Sequence, residues 1–440
     1  MTMAKMAFRN VWRYRRRSLI TAIAIALGVL FSIMVDAMLY GAERESARNI
    51  REYETGDVKA FAPGYFEERQ FLPFEFFIES GDRQRIEAIF AAERQANGSA
   101  DDGTAGLSTA RPVSRWAPRV VGGAELYFTE EFFPVAGSAE VKFHAVDPER
   151  EETVFRTPRM IEKGRWLEKR DEGIVIGGWL AEDIGADVGY MVSVELKGRG
   201  GFYQTFDAEI VGIALTDNPY VNRSAIYMDL SLADKLLALE GAVTEYAVAF
   251  PPEGKKENHR KALSSAVARS MNGGSQAPEI YGWDEIESDA VLLTKTKSGG
   301  SKAYLFFMFV IAAVGISNTM LMAVMERKNE IGMLRSLGYG NGSIRWLFLV
   351  EGFAIGLIGT AAGTLFGSVI VALMVEYGID FSFMMREMDA GYRLTGVMRS
   401  AWHPQGMLSA IVGALVISSA VAWFPSGRIL KAEVAEILRS

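Results

Sequence analysis

The chain has 440 residues, a mean hydropathy of +0.10 and a net charge of −7. The absence of cysteine excludes disulfides, thiol catalysis and cysteine metal sites. His144, His259 and His403 are far apart in sequence, and none has metal-ligand spacing. The average hides two solvents: residues 41–300 carry 44 Asp+Glu against 30 Lys+Arg, net −14, while the remainder carries 10 against 17, net +7, with most of the long apolar runs.

Residues 1–17 hold Lys5, Arg9, Arg13, Arg15, Arg16 and Arg17 and no acid. Phe8, Val11 and Trp12 recur at helical spacing, which predicts a short basic helix lying at a membrane interface. Residues 18–40 are apolar apart from Asp36. At ~1.5 Å per residue this run reaches roughly 35 Å, enough for a hydrocarbon core of about 30 Å. A signal peptide has a shorter apolar core, about 7–15 residues, and a small-x-small cleavage site. An uncleaved first span is therefore expected. The helical pattern continues through Glu43, Arg44, Arg48 and Arg51, as a stalk would.

Residues 41–302 read as an α+β domain. Strands are expected at 56–61, 126–129, 141–146, 173–176, 191–196, 206–213, 225–228, 245–250 and 279–281, and helices at 82–94 and 258–271. Strand and helix elements bracket a β-rich stretch. The expected division is a membrane-proximal part, 41–119 and 231–302, carrying a β-rich insert, 120–230.

Residues 303–325 form a second uncharged run, reached through the Gly299-Gly300 pair. The third, 346–375, contains one charge, Glu351, and the fourth, 405–424, contains none and is expected to end at Pro425. Glycines 352, 356, 359, 363 and 367 fall within about 80° of one another on a helix. Such a stripe lets a neighbouring helix approach closely in lipid. It reads either as ordinary tight packing or as a face along which helices shift. Glu351 has two readings, a pair with Arg327 or Arg345, or snorkelling; Asp36 is also placed to snorkel. A short amphipathic tail occupies 425–440.

Thirteen of the 17 basic residues outside 41–300 lie in three segments, six in 1–17, four in 326–345 and three in 425–440; Arg386, Arg393 and Arg399 in 376–404, against Glu376, Asp380, Glu387 and Asp389, weaken the bias without reversing it. With four spans these segments share one side, which the positive-inside rule assigns to the cytoplasm. The acidic domain and the loop 376–404 then lie outside. The fold class expected is a four-helix membrane protein with a large extracytoplasmic α+β domain between helices 1 and 2.

No G-x-x-x-x-G-K-[ST], G-x-S-x-G or H-E-x-x-H occurs. No catalytic, cofactor-binding or metal site is expected, and the acidic outer surface reads as solvated. The segment Glu326–Gly338, ERKNEIGMLRSLG, is different. Asn329 suits an N-cap, Glu330 the first turn and Arg335 the last, and Gly338 suits a C-cap. Ile331, Leu334 and Leu337 form one apolar edge. Composition leaves two readings open, a helix resting on lipid and a knob that docks into a cytoplasmic partner.

The run from Asn318 through Glu326-Arg-Lys-Asn-Glu-Ile-Gly-Met-Leu-Arg-Ser-Leu-Gly338 resembles the signature of FtsX/MacB-type ABC-transporter permeases. The opening from Met6 to Ser18, the Glu351–Gly359 stretch, and Gly164-Arg-Trp-Leu followed by 174–181 are similar to the same family. The resemblance implies that 326–345 is a coupling-helix loop contacting a separate ATPase through Glu326, Arg327, Glu330, Ile331, Leu334, Arg335, Leu337 and Gly338. It also implies pairing with a second permease copy or paralogue, ATP and Mg bound by the partner, and no enzyme activity in this chain. MacB itself carries its ATPase on the same chain ahead of the first span, and FtsX has a smaller outer domain. In length and layout the chain is most similar to the LolC/LolE type, which releases lipoproteins from the bacterial inner membrane. That likeness implies a lipoprotein or other amphiphile as cargo, an inner-membrane location with both termini cytoplasmic, contact with membrane lipids and a periplasmic adaptor or chaperone. Nucleic acid is not an expected partner. The alternatives within the family are an FtsX-like transmitter acting on a periplasmic partner and a MacB-like efflux permease.

Overall fold

The computed structural model describes residues 12–13, 15–98, 115–128, 137–251, 256–271, 277–293, 325–381 and 393–429, with isolated positions between 296 and 322. The predicted second span, 303–325, falls largely outside the described residues, as do most of the interfacial segment 1–17, the joint at 299–300 and the tail beyond Ile429. The chain forms two units. One comprises 1–44, 292–381 and 397–440, and the other 45–291 and 382–396.

The first unit is helical. Helix α1 spans Arg15–Asn49. Among the described residues three helices are long and apolar enough to cross a membrane: Ser18–Thr55, Asn341–Glu376 and Pro404–Trp423. The predicted runs 18–40, 346–375 and 405–424 lie in or across these helices. The last continues to Ile429, past Pro425, the end expected from the sequence. Proline removes one backbone donor and bends a helix, and a long apolar helix absorbs both effects without terminating. The core of this unit is built from small and β-branched residues, among them Ala22, Ile25, Val29, Ile33, Ala354, Val371 and Ala414. Leu357, Ile358, Leu365, Phe366 and Leu373 are exposed along the Asn341–Glu376 helix. Apolar side chains outward and small ones inward is the inversion that lipid as solvent produces.

The second unit is α+β. Helix α1 is followed by a π-helical segment, Ile50–Thr55, that ends at Gly56 with φ +72°. The expected stalk thus remains helical through Thr55. Ten strands make one hydrogen-bonded sheet: β1 (Val58–Phe61), β2 (Arg115–Phe128), β3 (Gly137–Val146), β4 (Ile161–Gly164), β5 (Ile174–Gly177), β6 (Met191–Lys197), β7 (Tyr203–Ala214), β8 (Ala225–Asp229), β9 (Glu245–Ala249) and β10 (Glu279–Gly282). The order is β10-β1-β9-β2-β3-β8-β5-β7-β4, with β6 paired to β2 and β7. The β3–β8 and β5–β7 pairs are parallel. Strand β6 shows the alternation of a half-buried strand, with Val192, Val194 and Leu196 inward. Helices α2 (Ser80–Gly98) and α3 (Lys256–Ser270) contribute Ile86, Phe90, Leu263 and Val267 to the main core.

Strand β2 was expected only from residue 126. Pro118 and the Gly122-Gly123 pair interrupt its apolar pattern, yet it pairs with β9, β3 and β6 in turn. Gly122 is required there: a Cβ would lie 2.6 Å from the Phe143 ring. The strand crosses the expected subdomain boundary at 119/120, so both sets of strands share it.

Candidate functional site

Residues 326–338 belong to the first unit. Helix α4 spans Lys328–Ser336, with Arg327 at the N-cap position rather than Asn329. Gly338 takes φ +88°, and the Tyr339 amide donates to the Leu334 carbonyl at 3.1 Å, closing the helix end. Helix α5, Asn341–Glu376, follows at once.

Arg327 ties the two helices together. Its Nη1 donates to Glu351 Oε2 at 2.9 Å and its Nε to Glu330 Oε2 at 3.0 Å. Its guanidinium lies 5.7 Å from the Phe348 ring centroid. Arg327 and Glu351 are both buried. Of the readings for Glu351, the structure has the pair with Arg327; Arg345 instead lies over Trp423. Glu330 also faces Arg13, at 3.7 Å.

The apolar edge read from sequence divides. Ile331 is 3% exposed and packs with Ile344 and Phe348, with Leu334 against them. Leu337 is 70% exposed and Met333 60%. Ile331 and Leu334 therefore fasten α4 to α5, while Met333 and Leu337, four residues apart, share the outward face. Helical spacing identified apolar positions correctly but not which of them an adjoining helix would cover. Glu326 is exposed, and Arg335 is half-buried.

The glycine stripe of α5 meets two different helices. Gly352 and Gly356 face Ala422 and Ser418 of α6, Pro404–Ile429. Gly359, Gly363 and Gly367 face α1, at Ala22 and Ile25, Ala26 and Val29, and Leu30 and Ile33. A Cβ on Gly363 would lie 2.5 Å from the Ala26 carbonyl oxygen, whereas one on Gly367 would lie 3.4 Å from the nearest atom. Gly363→Ala is thus expected to destabilise the helical unit by about 1–3 kcal/mol through overpacking. Gly367→Ala is expected to be close to neutral. Thermal denaturation of the two variants in the same detergent compares them.

Asp36 does not snorkel alone. Its Oδ2 is 2.7 Å from His403 Nδ1, and His403 stacks on Tyr40 with centroids 4.3 Å apart. His403 sits just before α6, 367 residues from Asp36, so no local pattern links the pair.

The second unit contains buried charges that carried no local sequence signal. Arg119 and Glu151 are fully buried; Arg119 Nε donates to Glu151 Oε2 at 3.1 Å, and a second bond joins Nη2 to Oε1. Arg119 also stacks on Phe155 at 3.5 Å and donates to the Glu54 carbonyl. Burial works against the charge of Arg119, and Glu151, with smaller help from Tyr227 and Glu245, offsets it, so the Arg119 pKa moves up. Lys59 and Glu245 form a second buried pair at 2.7 Å. His144, buried against Tyr227, is held well below its ordinary 6.5 by burial and by the charges of Arg119, Lys142 and Lys59.

That depression fixes a pH dependence. The unfolded chain binds a proton at His144 below about pH 6.5 and the folded chain does not, so stability is full above 6.5 and declines as pH falls. The slope expected from this group is up to about 1.4 kcal/mol per pH unit. His144→Phe should flatten the dependence of Tm between pH 6.5 and 5. An unchanged slope would show that other groups set it.

Among the described residues no group of His, Cys, Asp and Glu could hold a metal ion. A helical unit with glycine-mediated packing, a short helix closed at Gly338 and a large α+β unit fit an ABC-transporter permease of the FtsX/MacB/LolC type. Residues 18–266 match the MacB-like periplasmic core domain and residues 302–434 the FtsX-like permease C-terminal domain. The chain belongs to this family, and it is a membrane protein with a large extracytoplasmic domain. It is 24% identical to an uncharacterized ABC transporter permease of Methanocaldococcus jannaschii, over 98% of this chain and 96% of that one. It is 21% identical to the lipoprotein-releasing system transmembrane protein LolE of Haemophilus influenzae, over 68% of this chain and 72% of LolE. It is 23% identical to the macrolide export ATP-binding/permease protein MacB 1/2 of Paracoccus denitrificans, over 99% of this chain and 58% of that protein.

Proposed function

We propose that this chain is a permease subunit that turns ATP hydrolysis by a separate ATPase into movement of its extracytoplasmic domain, and that the work done is release of lipoproteins from the bacterial inner membrane toward the outer membrane. The observation that carries the coupling role is α4: a short helix anchored by Arg327, Ile331 and Leu334 that presents Met333 and Leu337 outward. An apolar pair on the open face of an anchored helix suits a partner's groove. Glu326, Glu330, Arg335 and Gly338 border that face in sequence, and Arg327 acts behind it. In this reading the ATPase holds ATP and Mg, and two permeases, copies or paralogues, stand over an ATPase dimer. Both termini and the 326–345 loop are cytoplasmic, as the basic segments favour, and spans at 18–40, 303–325, 346–375 and 405–424 bound the domains.

Lipoprotein release is supported by the likeness to LolE, and by LolC of Xylella fastidiosa at 21% identity over 73% of this chain. A MacB-like efflux role is the second reading, favoured by the match to MacB 1/2 across 99% of this chain. Depletion of the chain separates them. Lipoproteins retained in the inner membrane support the first; normal lipoprotein sorting with increased macrolide sensitivity supports the second. Division or wall defects alone would favour an FtsX-like transmitter over both.

A further inference from the structure

Arg393 lies in the sequence between α5 and α6, yet it belongs to the second unit. Its side chain is 11% exposed. The Nε donates to Glu54 Oε1 at 3.1 Å, the Nη2 to Glu287 Oε2 at 3.3 Å, and the guanidinium lies 3.3 Å from the Tyr220 ring centroid. The backbone is held as well. The Arg393 amide donates to Ser46 Oγ at 3.0 Å, and Asn49 Nδ2 donates to the Arg393 carbonyl at 2.7 Å.

These partners come from distinct parts of the chain. Ser46, Asn49 and Glu54 lie where α1 enters the second unit, and Glu287 lies four residues before the chain leaves it at 291. Arg393 itself is three residues before the chain leaves again at 396. Three of the four places where the chain passes between units therefore have a residue in one cluster. The wide helical turn Ile50–Thr55 starts directly after Asn49 and contains Glu54, two of the residues that hold Arg393. Wide turns of this kind are concentrated at functional positions.

Two carboxylates on one guanidinium would repel each other without it. Burial and the neighbouring Glu54 push the Glu287 carboxyl up, and Arg393 counters both. The planar fork of arginine can satisfy two acceptors at once, which a lysine ammonium does with less geometric definition.

We propose that Arg393 is a pin that makes the end of the first stalk, the segment ahead of residue 291 and the chain at 393–396 move as one body. The role concerns how the segments are coupled and stands whatever cargo the transporter handles. Movement reaching any one of them is then delivered to all three.

Hydrogen exchange on the full chain in lipid nanodiscs tests this, with strands β5 and β8 as internal reference. In Arg393→Ala, amides of 49–56 and 283–290 should exchange at least about tenfold faster, because a half-buried carboxylate pair has lost its shared partner. Amides of β5 and β8 should be unchanged. Glu287→Gln keeps the shape of the side chain and serves if Arg393→Ala does not fold; it should accelerate the same two segments by a smaller factor. Acceleration confined to 393–396 would overturn the pin. Equal acceleration of β5 and β8 would also overturn it, since Arg393 would then be an ordinary contributor to packing.

Discussion

Arg119→Ala is expected to lower the stability of the second unit by about 3–5 kcal/mol, the usual cost of leaving one member of a buried ion pair without the other. For a unit of this size that corresponds to a fall in Tm of about 6–20 °C. Three contacts are lost together: the two-point bond to Glu151, the stacking on Phe155 and the bond to the Glu54 carbonyl. The unpaired Glu151 carboxylate is then left fully buried. Replacing both residues, Arg119→Met with Glu151→Leu, should cost less than Arg119→Ala alone, because no charge is stranded. Near-UV circular dichroism against temperature reports the transition. A double variant as damaged as the single one would show that the stacking and the Glu54 bond, rather than the ion pair, hold this region.

Leu337→Asp is expected to weaken association with the ATPase by about thirtyfold or more, the effect of losing an anchor worth at least ~2 kcal/mol at the centre of an interface. Leu337 is 70% exposed, so the change should leave the fold intact. Leu334→Asp and Ile331→Asp are different. Both positions pack toward Ile344 and Phe348, and a carboxylate there would damage the α4–α5 contact itself. The informative pattern is therefore Leu337→Asp and Met333→Asp folded but uncoupled, and Ile331→Asp unstable. ATPase turnover in the purified complex and detergent melting of the chain provide the two readouts.

Much of this organisation was legible because lipid imposes strong constraints on composition. The long apolar runs 18–40, 346–375 and 405–424 locate three helices able to cross a membrane, and a charged segment between apolar runs has to lie at a membrane face. The glycines of α5 were also visible, although not that Gly352 and Gly356 serve one neighbour and Gly359, Gly363 and Gly367 another. A helical wheel gives direction but not the identity of what lies there. The same limit applied to Ile331, Leu334 and Leu337, whose spacing is regular while only Leu337 faces out. Strand β2 was half hidden because Pro118 and Gly122 break the alternation that marks a strand. Arg393 was illegible for another reason: its partners Glu287 and Glu54 are 106 and 339 residues away, and nothing local distinguishes it from a surface arginine.

Glu326–Gly338 is proposed as the surface through which an ATPase drives this chain. A photo-crosslinking residue placed at Leu337, with a second at the exposed position Leu373 of α5 as control, tests it directly. Irradiation of cells followed by mass spectrometry identifies what each position touches. A covalent adduct with a protein carrying G-x-x-x-x-G-K-[ST] is expected at 337, and none at 373. Adducts at 337 that contain lipid alone would contradict it and return this helix to a passive place on the membrane surface.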